Sequence, residues 1–202
     1  MNAMNATSER GSSWRPAWAL AVFALAGCGL AYSLAGTLLG RTLFPHAATG
    51  SLVERDGRVI GSSLVAQPFA DARYFMPRPS ASNYDPMAAS GSNQARSNPD
   101  LRKRIDAAAA AVAAREGVDA SQVPGDLVTQ SGAGIDPDIS PAAARLQVAR
   151  VAKARGLAAA DVAAVVERHM QRRQFGLFGQ PRVNVLELNL ALDALPRRNA
   201  AE

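Results

Sequence analysis

Ser131-Gly132-Ala133-Gly134 is the segment whose residue types best suit ligand chemistry. Its small side chains would let successive backbone N–H groups converge on an anion, as phosphate-binding nests do, although the same residues suit a plain strand-to-helix turn. Asp136 and Asp138 follow, separated by Pro137. Two such carboxylates could act as an acid and a base or hold a cation, but two acids in a turn before a helix serve first in capping and dipole compensation. His169 stands in line with Val162, Val165 and Val166 at i, i+3, i+4 and i+7, which reads as a core or boundary histidine. His46 is the only other histidine and Cys28 the only cysteine, so an intrachain disulfide and a Cys-rich zinc site are excluded, and a His-dominated metal site is disfavoured. No Gly-x-x-x-x-Gly-Lys-Ser/Thr loop, His-Glu-x-x-His helix, Gly-x-Ser-x-Gly elbow or dinucleotide fingerprint occurs. Conventional catalysis has no visible machinery.

The elements that must position these residues follow from periodicity and punctuation. Gly50 to Val65 reads as two strands joined at Asp56-Gly57, a dipeptide suited to a tight hairpin turn. Gln67 to Asn98, rich in Pro, Ser, Asn and Gly, predicts a long irregular segment pinned by Tyr74, Phe75 and Tyr84. Asn98-Pro99 opens a helix that carries Leu101, Ile105, Ala108 and Val112 on one face and ends before Gly117. Asp126 to Gln130 is expected to form a short strand. Ser140-Pro141 then starts a second helix, running to Arg155 and stopped by Gly156. A third helix begins near Asp161, a last strand covers Arg182 to Val185, and a closing helix aligns Val185, Leu188, Leu192 and Leu195. The fold class is therefore α+β, or small α/β, with no internal repeat.

The N-terminal part is of a different kind. No charged side chain lies between Arg15 and Arg41, and Trp18 to Leu39 is almost wholly apolar. A bilayer core of ~30 Å needs about 20 such residues. The expected organisation is a short tail over 1–15, a transmembrane anchor over 16–44, a soluble domain over 45–196 and a C-terminal tail over 197–202. Two rival readings exist. A cleavable signal would have an apolar run of roughly 7–15 residues, shorter than this one. Leu25-Ala26-Gly27-Cys28 resembles a lipobox, which would make the chain an independent lipoprotein or an anchored extracytoplasmic binding domain, yet Gly29 to Leu39 stays apolar where a polar tether belongs. Gly27, Gly29 and Gly36 would let another helix approach the anchor closely. Arg10 and Arg15 before the span are matched by Arg41, Arg55 and Arg58 after it, so charge does not orient it. Long domains cross regardless of charge, which favours the domain outside. From Pro45 onward 19 basic residues face 16 acidic ones, scattered and without interleaved aromatics, so nothing demands a nucleic acid.

Together these segments resemble the C subunit of the bacterial Kdp-type potassium-transporting ATPase across nearly the full length. The likeness rests on Gly50-Ser51-Leu52-Val53, Gly61 to Phe69, Tyr74-Phe75 with Arg78 to Ala81, Ser90 to Asn93, and Val128 to Pro137. It continues in Gln147 to Leu157 and in Gly179 to Asp193. The resemblance implies a non-catalytic accessory subunit of a high-affinity, ATP-driven potassium importer in the bacterial inner membrane. Its implied partners are a channel-like potassium subunit, a P-type ATPase subunit and a small peptide, besides membrane lipid. The chain has no Asp-Lys-Thr-Gly phosphorylation site, in keeping with a non-enzymatic role. No tightly bound cofactor is expected. The family description also includes a catalytic chaperone that raises the ATP affinity of the ATPase subunit, which would carry nucleotide contacts onto Ser131, Gly132, Gly134 and Gln147. A structural cap on the outer side, stabilising the assembly, is the alternative for the same subunit. The chain departs from the family pattern at Ser90-Gly91-Ser92, which lacks a doubled glycine, at Asp138, usually His or Asn, and at Gln130, usually Ala.

Overall fold

The structure is a computed structural model that describes residues 14–195. Most of the expected N-terminal tail, Arg10 included, and all of the C-terminal tail over 197–202 lie outside the described residues. Two compact units divide between Ser51 and Leu52.

The first unit is dominated by one helix, α1 (Trp14–Leu43), 30 residues long, whose most apolar 18-residue window has a mean hydropathy of 1.8 with no residue buried. Its length and composition suffice to cross a membrane. Near Gly27 and Gly29 the helix widens, the Tyr32 N–H reaching the Gly27 carbonyl five residues back. The hydroxyls of Ser33 and Thr42 donate to the carbonyls of Gly29 and Leu38 at 2.5 and 2.7 Å, so α1 itself serves its polar side chains. A single turn, Pro45–Ala48, follows.

The second unit mixes helices with two small antiparallel sheets. β1 (Leu52–Arg55) and β2 (Arg58–Ser62) form the hairpin, with Asp56 and Gly57 at φ values of 53° and 73°, the left-handed pair a tight turn requires. α2 (Pro99–Glu116) starts where the Asn98 side chain accepts the Asp100 N–H and stops at Gly117, whose φ is 71°. β3 (Asp138–Ile139) precedes α3 (Pro141–Arg155), which the Ser140 hydroxyl caps by accepting the Ala143 N–H at 3.0 Å. α4 (Ala159–His169) runs into β4 (Met170–Gln171), and β5 (Arg182–Asn184) into α5 (Val185–Asp193), capped by the Asn184 side chain. The second sheet has the order β3-β5-β4, with Ile139 and Met170 both opposite Val183.

The core lies where α3, α4 and α5 meet this sheet. Val151, Val162, Val166, Val183 and Leu188 are completely buried, and Phe75 joins them from the irregular segment. Such burial at about 25 cal/mol per Å² is the main stabilising term. The α+β expectation thus stands, with one correction. Asp126 to Gln130 is not a strand: Gly125–Leu127 forms a helical turn, and Leu127 and Val128 are buried side by side instead of alternating. Asp126 serves a different end there, accepting the Ser140 N–H and hydroxyl at 2.7 and 3.1 Å and so fixing the entry to α3.

Candidate functional site

The long segment after β2 contains a strap, residues 72–79, that turns at Ala72 and Arg73 and then runs on without pairing with any strand among the described residues. Pro77 and Pro79 lack a donor and cannot enter a ladder as full partners. Side chains take the ladder's place. Asn189 on α5 accepts the Phe75 N–H at 2.8 Å and donates to the Phe75 carbonyl at 2.9 Å. Gln147 on α3 does the same for Met76, at 2.8 and 3.1 Å. Arg150 donates to the carbonyls of Ala72 and Tyr74 at 2.6 and 3.0 Å, and Arg155 to that of Arg73 at 2.7 Å. Arg155 also lies over the Tyr74 ring, 5.0 Å from its centroid, and pairs with Asp193 at 2.9 Å.

Gln147 is completely buried, and its amide oxygen accepts a second bond, from Arg150 at 2.7 Å. Arg150 in turn holds the carboxylate of Glu116, at the end of α2, with 2.9 and 3.0 Å bonds from its Nε. The Glu116 side chain has no exposed surface, and Arg115 supplies its second cation at 2.7 Å.

The Ser131–Gly134 turn sits at the other end of the strap. Ser131 N–H donates to Pro79, and the Gly134 carbonyl accepts from the Ser80 hydroxyl at 2.5 Å. Gly134 has a φ of 73°, and a Cβ there would lie 2.5 Å from the Ser82 hydroxyl and 2.7 Å from the Ser90 carbonyl. Gly91 is pressed equally close to the Gly132 carbonyl, so no side chain fits between loop and turn. Residue Ser131 is 3% exposed, and among the described residues its hydroxyl has no hydrogen-bond partner, nor have the Gln130 carbonyl oxygen and Nε of Arg78 and Arg104. The strap links Gln147 to this turn, but no hydrogen bond joins them among the described residues.

The Asp136/Asp138 pair is split between two partners. Asp136 pairs with Arg78 at 2.9 Å and accepts the Asp138 N–H, whereas Asp138 pairs with Arg182 at 2.9 Å. Burial pushes the Asp138 carboxyl above its ordinary range, with Arg182 opposing the shift. The folded state then binds this proton more tightly than the unfolded chain does. Its stabilising effect is complete below the ordinary value of 3.8 and is lost as pH rises through the higher folded value. Urea unfolding across that window is expected to show the native chain losing stability relative to Asp138→Asn as pH rises; a difference independent of pH would refute this. His169 is half-buried with Nδ1 2.9 Å from the Val165 carbonyl, a boundary position. No cluster of three or more metal-ligating side chains occurs among the described residues.

Asn189, Arg150 and Glu116 were not singled out by sequence reasoning. A signal existed for the first alone: an amide inside the apolar run of α5. A family model described as K+-transporting ATPase, c chain, matches residues 14–194, the span that holds the strap, its clamps and the glycine-lined turn. The chain belongs to the KdpC family. Named relatives, each a potassium-transporting ATPase KdpC subunit, include those of Xanthomonas oryzae pv. oryzae (64% identical, 86% of this chain and 83% of the relative) and Xanthomonas campestris pv. campestris strain B100 (60%, 89% and 86%). That of Shewanella putrefaciens is 54% identical over 84% of this chain and 85% of its own length. In KdpC terms, the matched region takes in both α1 and the clamped strap.

Proposed function

We propose that the chain is a non-catalytic accessory subunit of a high-affinity, ATP-driven potassium importer, anchored by residues 16–44 in the bacterial inner membrane, with residues 45–196 on the outer side. Its partners in this reading are a channel-like potassium subunit, a P-type ATPase subunit and a small peptide subunit, and its role is to stabilise their assembly. The observation that carries the structural role is Gln147: it is completely buried, and both atoms of its amide are engaged by Met76 and Arg150. A side chain so occupied would have to break the strap before meeting a nucleotide. The rival role, a chaperone that raises ATP affinity, draws its support from the unpartnered Ser131 hydroxyl in the glycine-lined turn.

Sidedness separates the two, because ATP is available only in the cytoplasm. With Cys28→Ala as background, a cysteine at exposed Ala110 of α2 is expected to react with an impermeant maleimide from the outer face of the assembled pump in sealed vesicles. Ser131→Ala should leave the KM for ATP unchanged. Labelling from the cytoplasmic face alone would refute the outer cap and restore nucleotide contact.

A further inference from the structure

Between β4 and β5 the chain forms a second, much smaller hairpin whose tip is apolar. Phe175, Leu177 and Phe178 are 92%, 74% and 65% exposed, in a protein whose other large apolar exposures lie mostly on α1. A monomer seldom presents adjacent aromatic side chains to water without a partner for them. The tip is also tied together by its own backbone hydrogen bonds. Gln174 and Phe178 exchange backbone bonds of 2.9 and 3.0 Å, Leu177 and Gly176 donate to Gln174 and Arg173, and Phe175 and Gly176 take left-handed φ values of 53° and 73°. Four consecutive-turn N–H groups are thereby served inside the hairpin, which lowers the cost of moving its backbone out of water.

Charge selects the partner. From Arg168 to Arg182 there is no acidic residue, and Arg172 and Arg173 immediately precede the tip. Aromatic and aliphatic side chains rimmed by arginines match the boundary between anionic headgroups and acyl chains, where rings bury and guanidiniums reach phosphate. Eight residues, Phe44 to Ser51, join α1 to β1 along the chain. We propose that Phe175, Leu177 and Phe178 insert into the headgroup boundary of the anionic membrane that holds α1, as a second, reversible attachment. The inference rests on the reading of α1 as an anchor.

The test uses the full chain with Cys28→Ala and Leu177→Cys carrying an environment-sensitive fluorophore, reconstituted in phosphatidylglycerol nanodiscs. Emission is expected to shift to the blue and to be quenched several-fold more by spin-labelled lipid than from the same label at Ala110→Cys. Replacing Arg172 and Arg173 with Ala, or the lipid with phosphatidylcholine, should remove most of that difference. The assembled pump in the same nanodiscs should retain the quenching. Water-like emission in an incorporated chain overturns the tip's role alone, and so does a label shielded from both lipid and water in the assembled pump, since a protein partner would then hold it. Failure of the chain to incorporate overturns the anchor and the tip together.

Discussion

Arg150→Ala is expected to destabilise the second unit by about 3–5 kcal/mol, the range found when one partner of a buried ion pair is removed. The Glu116 side chain is fully buried and the Arg150 side chain 9% exposed, so the pair is held largely out of water. Deleting the guanidinium leaves Glu116 with Arg115 alone, and it also strips the carbonyls of Ala72 and Tyr74 and the amide oxygen of Gln147 of a donor. Arg150→Lys should recover only part of the loss, because one ammonium cannot reproduce a fork that meets Glu116, the strap and Gln147 at once. Denaturant unfolding of the full chain in detergent, followed by circular dichroism, measures both variants. A loss below about 1 kcal/mol for Arg150→Ala, the level of an exposed pair, would refute the assignment of this arginine as the hub of the strap.

Gln147→Ala should cost about 2–4 kcal/mol, since it abandons the N–H and carbonyl of Met76 together with one Arg150 donor in a site closed to water. For a unit of this size that corresponds to a fall in Tm of roughly 5–15 °C. Gln147→Glu keeps the acceptor for Met76 N–H and Arg150 but loses the donor to the Met76 carbonyl, so its cost should be smaller than that of Gln147→Ala. The comparison separates two roles for one residue. A structural clamp moves Tm and leaves the KM for ATP of the surviving assembled pump unchanged. A nucleotide contact moves KM while stability stays near that of the native chain, and that pattern would overturn the clamp.

How far the sequence could be read depended on whether the relevant physics was local. α2 and α3 were legible to the residue because Asn98, Pro99, Ser140, Pro141, Gly117 and Gly156 satisfy or terminate a helix from within a few positions of its end. The β1–β2 turn was legible for the same reason, in Asp56-Gly57. β3 and β4 are two residues each and carry no period to detect; they exist because β5 lies between them. Asp126 to Gln130 misled because two adjacent apolar residues resemble a buried strand, while the Asp126 carboxylate was committed to Ser140, fourteen positions away. The candidate residues divided likewise. Ser131, Gly132 and Gly134 stand out as a turn by composition, whereas nothing near Gln147 in sequence points to Met76, from which it is separated by 71 positions.

The sequence by itself determined the long apolar helix, the capped helices, the hairpin and membership in the KdpC family, since each is written in contiguous residue types. Only the tertiary structure decided that the proline-broken strap is held by side chains in place of a neighbouring strand, and that Gln147, Asn189, Arg150 and Glu116 are the groups that hold it. Backbone polar groups taken from water must find partners wherever the fold puts them, and here they find them on helices far away in sequence. That requirement is met in three dimensions, and one dimension does not record it.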